Sequence, residues 1–391
     1  MFNFLSILFG FTFQYSIDFI GKLYVSQIII MITFFILLFK NNKEFNIYNK
    51  TIFILAFLWL INQIISDIFN ESVFRDYARG NIKIILTIFA FYVFDRFSNL
   101  KKDSLLIIIF WIFTISELYD LFRLNSSNFA SIWKFGLGIT VTFLVLFIDH
   151  FTEQKRKKLT GIIIFLIGVF SLLVGTRYLF LFNTITCFFL FQNLIFKNPN
   201  KKKLIFSFIG FGTLFLGMIS IYDYSLKSGL LDQNFTSKTL RQSSGDYGVF
   251  LGGRHEILSS YKAIIDAPII GHGSWAKNCE YIDYLNIQLY KLNYNIVREY
   301  GDCQIPVHSV MLESWVNSGI FGFIFWMYIL KLLIIKFRDI VLNSSTTDPI
   351  FIFIITMCFW DILFSPYGSN RILLLPLFLM YLLKYSNSKK I

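Results

Sequence analysis

Proline occurs only six times in 391 residues, and charged side chains make up only 15% of them. So little charge cannot coat a soluble domain of this length, and so few helix breakers leave long segments uninterrupted; water is not the main solvent. Cysteine is scarce too, at four. That excludes a disulfide-built scaffold, and the cysteine spacings are not those of a metal site. Apolar residues reach 55%, with 49 phenylalanines. They gather in long runs, as bilayer-crossing helices do, rather than in the weak alternation of barrel strands.

Runs able to span about 30 Å of hydrocarbon fall at 4–20, 24–39, 51–69, 82–97, 104–122, 131–149, 159–175, 178–196, 203–222, 308–335, 349–364 and 371–384. They predict an all-α, polytopic membrane protein of about twelve transmembrane helices. Nine fall in residues 1–222 and three in 307–391, on either side of a large helical loop at 223–306. The first run is the weakest, because Asp18 and Lys22 lie near its end. The first forty residues show no small-residue cleavage site after a short apolar core, so they read as retained helices.

The formal charge of +12 would suit nucleic acid only on a solvated basic face, whereas Lys and Arg come here in bursts between apolar runs. With the N-terminus cytoplasmic, 20 of the 36 basic residues fall in inner segments, eight in short outer connections and eight in the long loop. This bias predicts cytoplasmic termini and a periplasmic loop.

That loop alone has the composition of a soluble unit. Arg254 to Asp266 reads as an amphipathic helix with Ile257, Tyr261, Ile264 and Ile265 on one side, ended by Pro268, Gly271 and Gly273. A second helix is expected from Asn278 to Glu299, with Ile282, Leu285, Leu289, Leu292 and Ile296 on one face and Tyr281, Tyr284, Tyr290 and Tyr294 elsewhere. Cys279 and Cys303 both lie in the loop. A disulfide there needs an oxidising compartment, and neither spacing nor context forces it.

His308 opens an apolar stretch running to Phe337, longer as one helix than the bilayer is thick, so it is expected at the outer surface. A histidine of ordinary pKa is largely neutral at pH 7 and can take a proton from a hydroxyl; the alternative is an interfacial histidine bonded to a carbonyl. Arg177 sits in Gly175-Thr176-Arg177 between two apolar runs, where a guanidinium snorkels or has a partner. Arg254 begins the first loop helix, a place that favours an anion; the alternative is an ion pair with Glu256 or Asp266. Two such arginines can grip a diphosphate. Glu313 follows His308 by five residues, which on one helix puts the two on different faces. Glu117, Asp120 and Arg123 could line the same cavity or pair locally. His150 reads as solvated at an inner loop edge. His255, His272 and His308 share the loop without ligand spacing, and no metal is expected.

In order, Gly175-Thr176-Arg177, Gly253-Arg254, the stretch Asp266-Ala267-Pro268-Ile269-Ile270-Gly271-His272-Gly273-Ser274 and the stretch from His308-Ser309 through Glu313-Ser314-Trp315 to Gly319 and Gly322 resemble the O-antigen ligase and polymerase superfamily of bacterial envelopes. The likeness is close over about 160–330 and elsewhere rests on helix count. It implies a metal-independent, inverting glycosyltransferase of the inner membrane, without cofactor, using a glycan on undecaprenyl diphosphate at the periplasmic face. Arg177 and Arg254 would hold the diphosphate and His308 would activate the acceptor hydroxyl, with Tyr281, Tyr284, His272 and Trp275 as candidate glycan contacts. The family often has Asn after the histidine, where this chain has Ser309. Partners so implied are the lipid-linked donor, a glycan or lipid A-core acceptor and membrane lipid, with room for a chain-length regulator. The compact chain and the Gly-His-Gly-Ser-Trp segment favour a polymerase over a ligase. A flippase or transporter of lipid-linked sugar is the reading from another class, but it should show polar groups at mid-membrane rather than at one face.

Overall fold

The computed structural model describes residues 2–13, 15–18, 21–39, 47–99, 103–123, 129–152, 157–195, 239–295, 301–343, 348–368 and 370–385, with isolated stretches between 205 and 228. Helices dominate: α1 (Phe2–Thr12), α2 (Val25–Phe39), α3 (Ile47–Phe69), α4 (Phe74–Ser98), α5 (Ser104–Arg123), α6 (Phe129–Ile132), α7 (Gly138–Phe151), α8 (Lys157–Leu173), α9 (Arg177–Ile195), α10 (Gly248–Gly252), α11 (Glu256–Asp266), α12 (Cys279–Lys291), α13 (Val310–Ser318), α14 (Ile320–Asn343), α15 (Pro349–Phe364) and α16 (Arg371–Tyr385). A π-helical turn, Trp133–Leu137, joins α6 to α7.

Membrane character is carried by both length and surface. Lys50–Phe69, Phe74–Ser98 and Ile320–Asp339 are long and apolar enough to cross a bilayer, and Val25–Phe39, Ser104–Ile115, Gly138–Phe151 and Pro349–Phe364 are apolar but shorter. Phe35, Ile36, Phe57, Ile61 and Ile334 are exposed on these helices, as is Leu166 on α8. Such ridges are natural against lipid and costly against water. The fold is thus that of a helical membrane protein. The ninth expected run, 203–222, lies largely outside the described residues.

Pro349–Phe364 shows where the core sits. Ile350 to Ile355, Cys358 and Ile362 are all buried, and a helix that is apolar all round belongs inside the bundle. Asp348 caps it by accepting from the Ile350 amide at 3.2 Å. Around it pack α9, α7, α14 and α16, while α4 lies against α2, α3 and α16. Trp59, Trp326 and Phe325 are fully buried, and both indole N–H groups have partners, Ser318 Oγ at 2.8 Å and Ser314 Oγ at 2.9 Å. A buried indole would otherwise lose a hydrogen bond.

Four expectations are corrected. The first run is no single helix: α1 ends at Thr12, and an antiparallel hairpin pairs Ser16–Asp18 with Lys22–Tyr24, because polar residues interrupt the apolar run. The second loop helix stops at Lys291 instead of continuing to Glu299. Asn293 turns left-handed there and the Tyr294 amide closes onto the Leu289 carbonyl at 2.9 Å. Residues 296–299 lie outside the described residues. On α11 the stripe Ile257, Tyr261 and Ile265 is exposed, and the buried side is Ser259, Ser260, Ala263 and Ile264.

The fourth correction matters most for the site. His308 does not begin a thirty-residue helix. It lies in an extended segment capped by Ser309, and α13 runs only from Val310 to Ser318 before Gly319, at φ 65°, breaks the axis and α14 starts. A break inside a membrane protein must satisfy its freed carbonyls. The Val316 and Asn317 carbonyls accept from the His272 and Gly273 amides at 2.7 and 3.1 Å, and the Ile320 amide donates to Ile269 at 3.1 Å. Asn62 donates to the Ser318 carbonyl, and Ser66 Oγ to that of Asn317 at 2.8 Å.

Candidate functional site

Gly175, at φ 82°, ends α8 with its amide on Leu172 at 3.0 Å and the Thr176 amide on Ser171 at 2.7 Å. This left-handed stop turns the chain so that Arg177 opens α9. Arg177 Nη2 donates to Gln242 Oε1 at 2.9 Å. The Gln242 carbonyl in turn occupies the space a side chain on Gly252 would need, so glycine there lets the Thr239–Ser243 segment lie directly over the approach to Arg254.

Arg254 Nη1 donates to the Gly253 carbonyl at 3.0 Å, and the guanidinium lies 5.6 Å from the centre of the Trp360 ring. Its Nε is buried without a hydrogen-bond partner. Burial disfavours its charge and lowers its pKa; the Glu256 carboxylate opposes that shift, and the guanidiniums of Arg177 and Arg371 add to it. Arg371 starts α16 with Nε on Asp361 Oδ1 at 2.8 Å. Two cations from distant parts of the chain, Arg177 and Arg371, therefore act on Arg254.

His308 joins them. Burial lowers its pKa below 6.5; Glu256 opposes, Arg254 and Arg371 lower it further, and Glu313 opposes. The imidazole is thus neutral at pH 7 and able to accept a proton. The backbone leading to it is fixed by a disulfide between Cys279 and Cys303, by the Ile305 amide on Ala276 at 3.0 Å, and by Ser259 Oγ on the Pro306 carbonyl at 2.9 Å. Ser309 Oγ accepts from the Leu312 amide at 3.3 Å and donates to the Ile362 carbonyl at 3.0 Å. Ser309 thereby caps α13.

A cavity of 310 Å³ opens beside His308, bordered by Glu256, Trp275, Gln304, Glu313, Asn317 and Tyr367 among others. The expectation that Glu313 points away from His308 is corrected here: the histidine precedes the helix, so the two share the cavity. Glu313 is held by Lys83 Nζ at 2.6 Å and by the Tyr367 amide at 2.8 Å. Lys83 is itself buried and also faces the Trp275 and Tyr367 rings.

The expected glycan contacts divide. Trp275 borders the cavity. Tyr281 is buried, its hydroxyl donating to Asp266 Oδ2 at 3.0 Å, and His272 Nε2 lies 2.8 Å from the Ala263 carbonyl, so both hold the loop together. Tyr284 is half-buried on α12 and does not border the cavity. Arg254 pairs with neither alternative partner through a direct bridge, and Asp266 is taken by Lys262 and Tyr281. His255 is buried with Nε2 3.6 Å from Glu256. His150 is not solvated but lies with Nδ1 2.6 Å from Asp348 Oδ2. The side chains of Glu117, Asp120 and Arg123 lie outside the described residues. Among the described residues no cluster of three or more His, Cys, Asp or Glu is arranged as a metal site.

Sequence reasoning missed Lys83, Arg371 and Glu256 as parts of the site. Lys83 and Arg371 look like ordinary outer-edge cations; the one available signal was a lysine inside an otherwise apolar run. Comparison of the chain with protein-family models, curated proteins and solved structures finds no match.

Proposed function

We propose that this protein is a membrane glycosyltransferase that polymerises glycan repeat units carried on undecaprenyl diphosphate, working at the periplasmic face. The observation that carries the reading is that His308 borders a cavity of 310 Å³ and is acted on by Arg254 and Arg371, while Arg254 is itself acted on by Arg177. A diphosphate leaving group develops charge as its bond to the sugar breaks, and fixed guanidiniums stabilise that charge without reorganising. His308 takes the proton from an acceptor hydroxyl as the oxygen attacks the anomeric carbon. The new glycosidic bond forms as the bond to the diphosphate oxygen breaks, with inversion, and undecaprenyl diphosphate departs as the anion. The disulfide supports an outward-facing loop, since such bonds persist in oxidising compartments. The exposed apolar ridges on the helices suit entry of the lipid tail from the bilayer.

The test is reconstitution in proteoliposomes with a lipid-linked repeat unit, read as a ladder of longer glycans. His308→Ala is expected to reduce transfer by about 10²–10⁴-fold, the usual worth of general base catalysis. Arg254→Lys is expected to be severe because an ammonium lacks the two-point grip. Activity should persist in chelator. Unaltered ladders in both variants would remove the reading, transport without bond formation would replace it with a flippase, and glycan moved only to a lipid A core would make the protein a ligase.

A further inference from the structure

The cavity beside His308 contains more than proton transfer requires. At 310 Å³ it lies at the small end of ligand sites, the size class of one sugar ring rather than of a chain. Trp275 borders it, and Gln304 and Asn317 add amide groups suited to hydroxyls. The indole is held from outside: Lys83 Nζ lies 5.1 Å and Arg79 Cζ 5.8 Å from the ring centre. These two cations are four residues apart on α4 and so approach from one side. Trp275 lines the cavity, whereas neither cation does.

The backbone at Trp275 is unusual, with φ 52°, which is costly for a bulky residue and persists only where its surroundings over-determine it. The preceding Ser274 supplies that constraint, its amide and hydroxyl both donating to Asp67, at 2.6 and 2.9 Å. Glu256, which also borders the cavity, has its Oε2 buried with no hydrogen-bond partner. A buried acceptor left so is disfavoured until a donor reaches it. Glu313, by contrast, is already neutralised by Lys83.

We propose that this cavity is the acceptor subsite, binding one uncharged pyranose whose apolar face packs on Trp275 and one of whose hydroxyls donates to Glu256. The inference rests on the transferase reading and names its acceptor: a neutral terminal sugar. Packing on the C–H face leaves the hydroxyl edge free to meet His308, which borders the same space. A uronate ring is excluded because its carboxylate would meet that of Glu256 in a site of low dielectric.

Saturation-transfer NMR on the full chain in nanodiscs tests this, with methyl glucoside, methyl N-acetylglucosaminide and methyl glucuronide as probes. The ring protons of at least one neutral glycoside are expected to receive saturation, and those of the glucuronide are not. Trp275→Leu and Glu256→Gln should each weaken binding about tenfold, equivalent to about 1.4 kcal/mol, while Trp275→Phe, which keeps an aromatic face, should restore most of it. Absence of neutral glycoside binding, equal binding of the glucuronide, or full binding in both Trp275→Leu and Glu256→Gln would overturn the proposal. Transfer from a lipid-linked donor is followed in the same preparation. Transfer without glycoside binding refutes the subsite alone; glycoside binding at Trp275 without transfer supports the subsite and refutes the transferase.

Discussion

His308 resists protonation because burial and two nearby guanidiniums outweigh the carboxylates of Glu256 and Glu313. Its pKa is depressed below 6.5, so protonation, which removes the acceptor lone pair, sets in only at lower pH. Activity should therefore stay level through neutral pH and fall as pH drops through a value below 6.5; a pH profile of kcat/KM checks this, and an acid limb above that value would contradict it. Lys83 and Glu313 make the second residue-scale case. Both are largely shielded from water, with side-chain exposures of 10% and 18%. Removing one partner of such a pair costs about 3–5 kcal/mol, because a charge is stranded, whereas removing both is far milder. Lys83→Met is expected to lower thermal stability more than the Lys83→Met/Glu313→Gln double variant. Equal losses would mean that the pair contributes no coupling.

At the scale of elements, the decisive feature is the break between α13 and α14. A side chain on Gly319 would collide with the Ile269 carbonyl, and one on Gly271 would press on the Asn317 carbonyl at 2.8 Å. Both glycines have positive φ. The loop and the broken helix approach so closely that only hydrogen fits, and this approach sets the end of α13 against His272 and Gly273, with Trp275 and Glu313 lining one cavity. Gly319→Ala should lose more than about 1 kcal/mol through collision and strained φ, seen as a lower unfolding temperature in detergent, with a parallel loss of transfer. A variant of unchanged stability would show that the approach can relax. The hydrophobic periodicity of residues 308–337 could not disclose this break, because both halves are apolar and neither Gly319 nor Gly322 marks by itself which of them ends a helix. The Cys279–Cys303 bond likewise depended on Lys277 pairing with Gln304, a contact between segments that sequence spacing leaves open.

For the whole molecule, charge distribution and the disulfide lead to the same orientation. Lys158 and Tyr247 are both exposed; in the proposed orientation the first lies in a basic inner segment and the second in the outer loop. Tyr247→Cys should react with a membrane-impermeant maleimide in intact spheroplasts, and Lys158→Cys only after permeabilisation. The reverse pattern would put His308 on the cytosolic side and remove the periplasmic mechanism.

Composition and hydropathy by themselves determined the solvent this chain lives in and its helical class, since these depend on local patterns repeated over many residues. They also singled out Arg177, Arg254 and His308, each unusual against its apolar or glycine-rich surroundings. Only the tertiary structure decided that Arg177 and Arg371 act on Arg254 and that Arg254 and Arg371 act on His308, that Lys83 neutralises a carboxylate 230 residues away, and that Tyr281 and His272 hold the loop rather than border the cavity. Those facts depend on close approach between distant segments, set by glycines, a disulfide and buried hydrogen bonds, and no local pattern along the chain encodes which surfaces will meet.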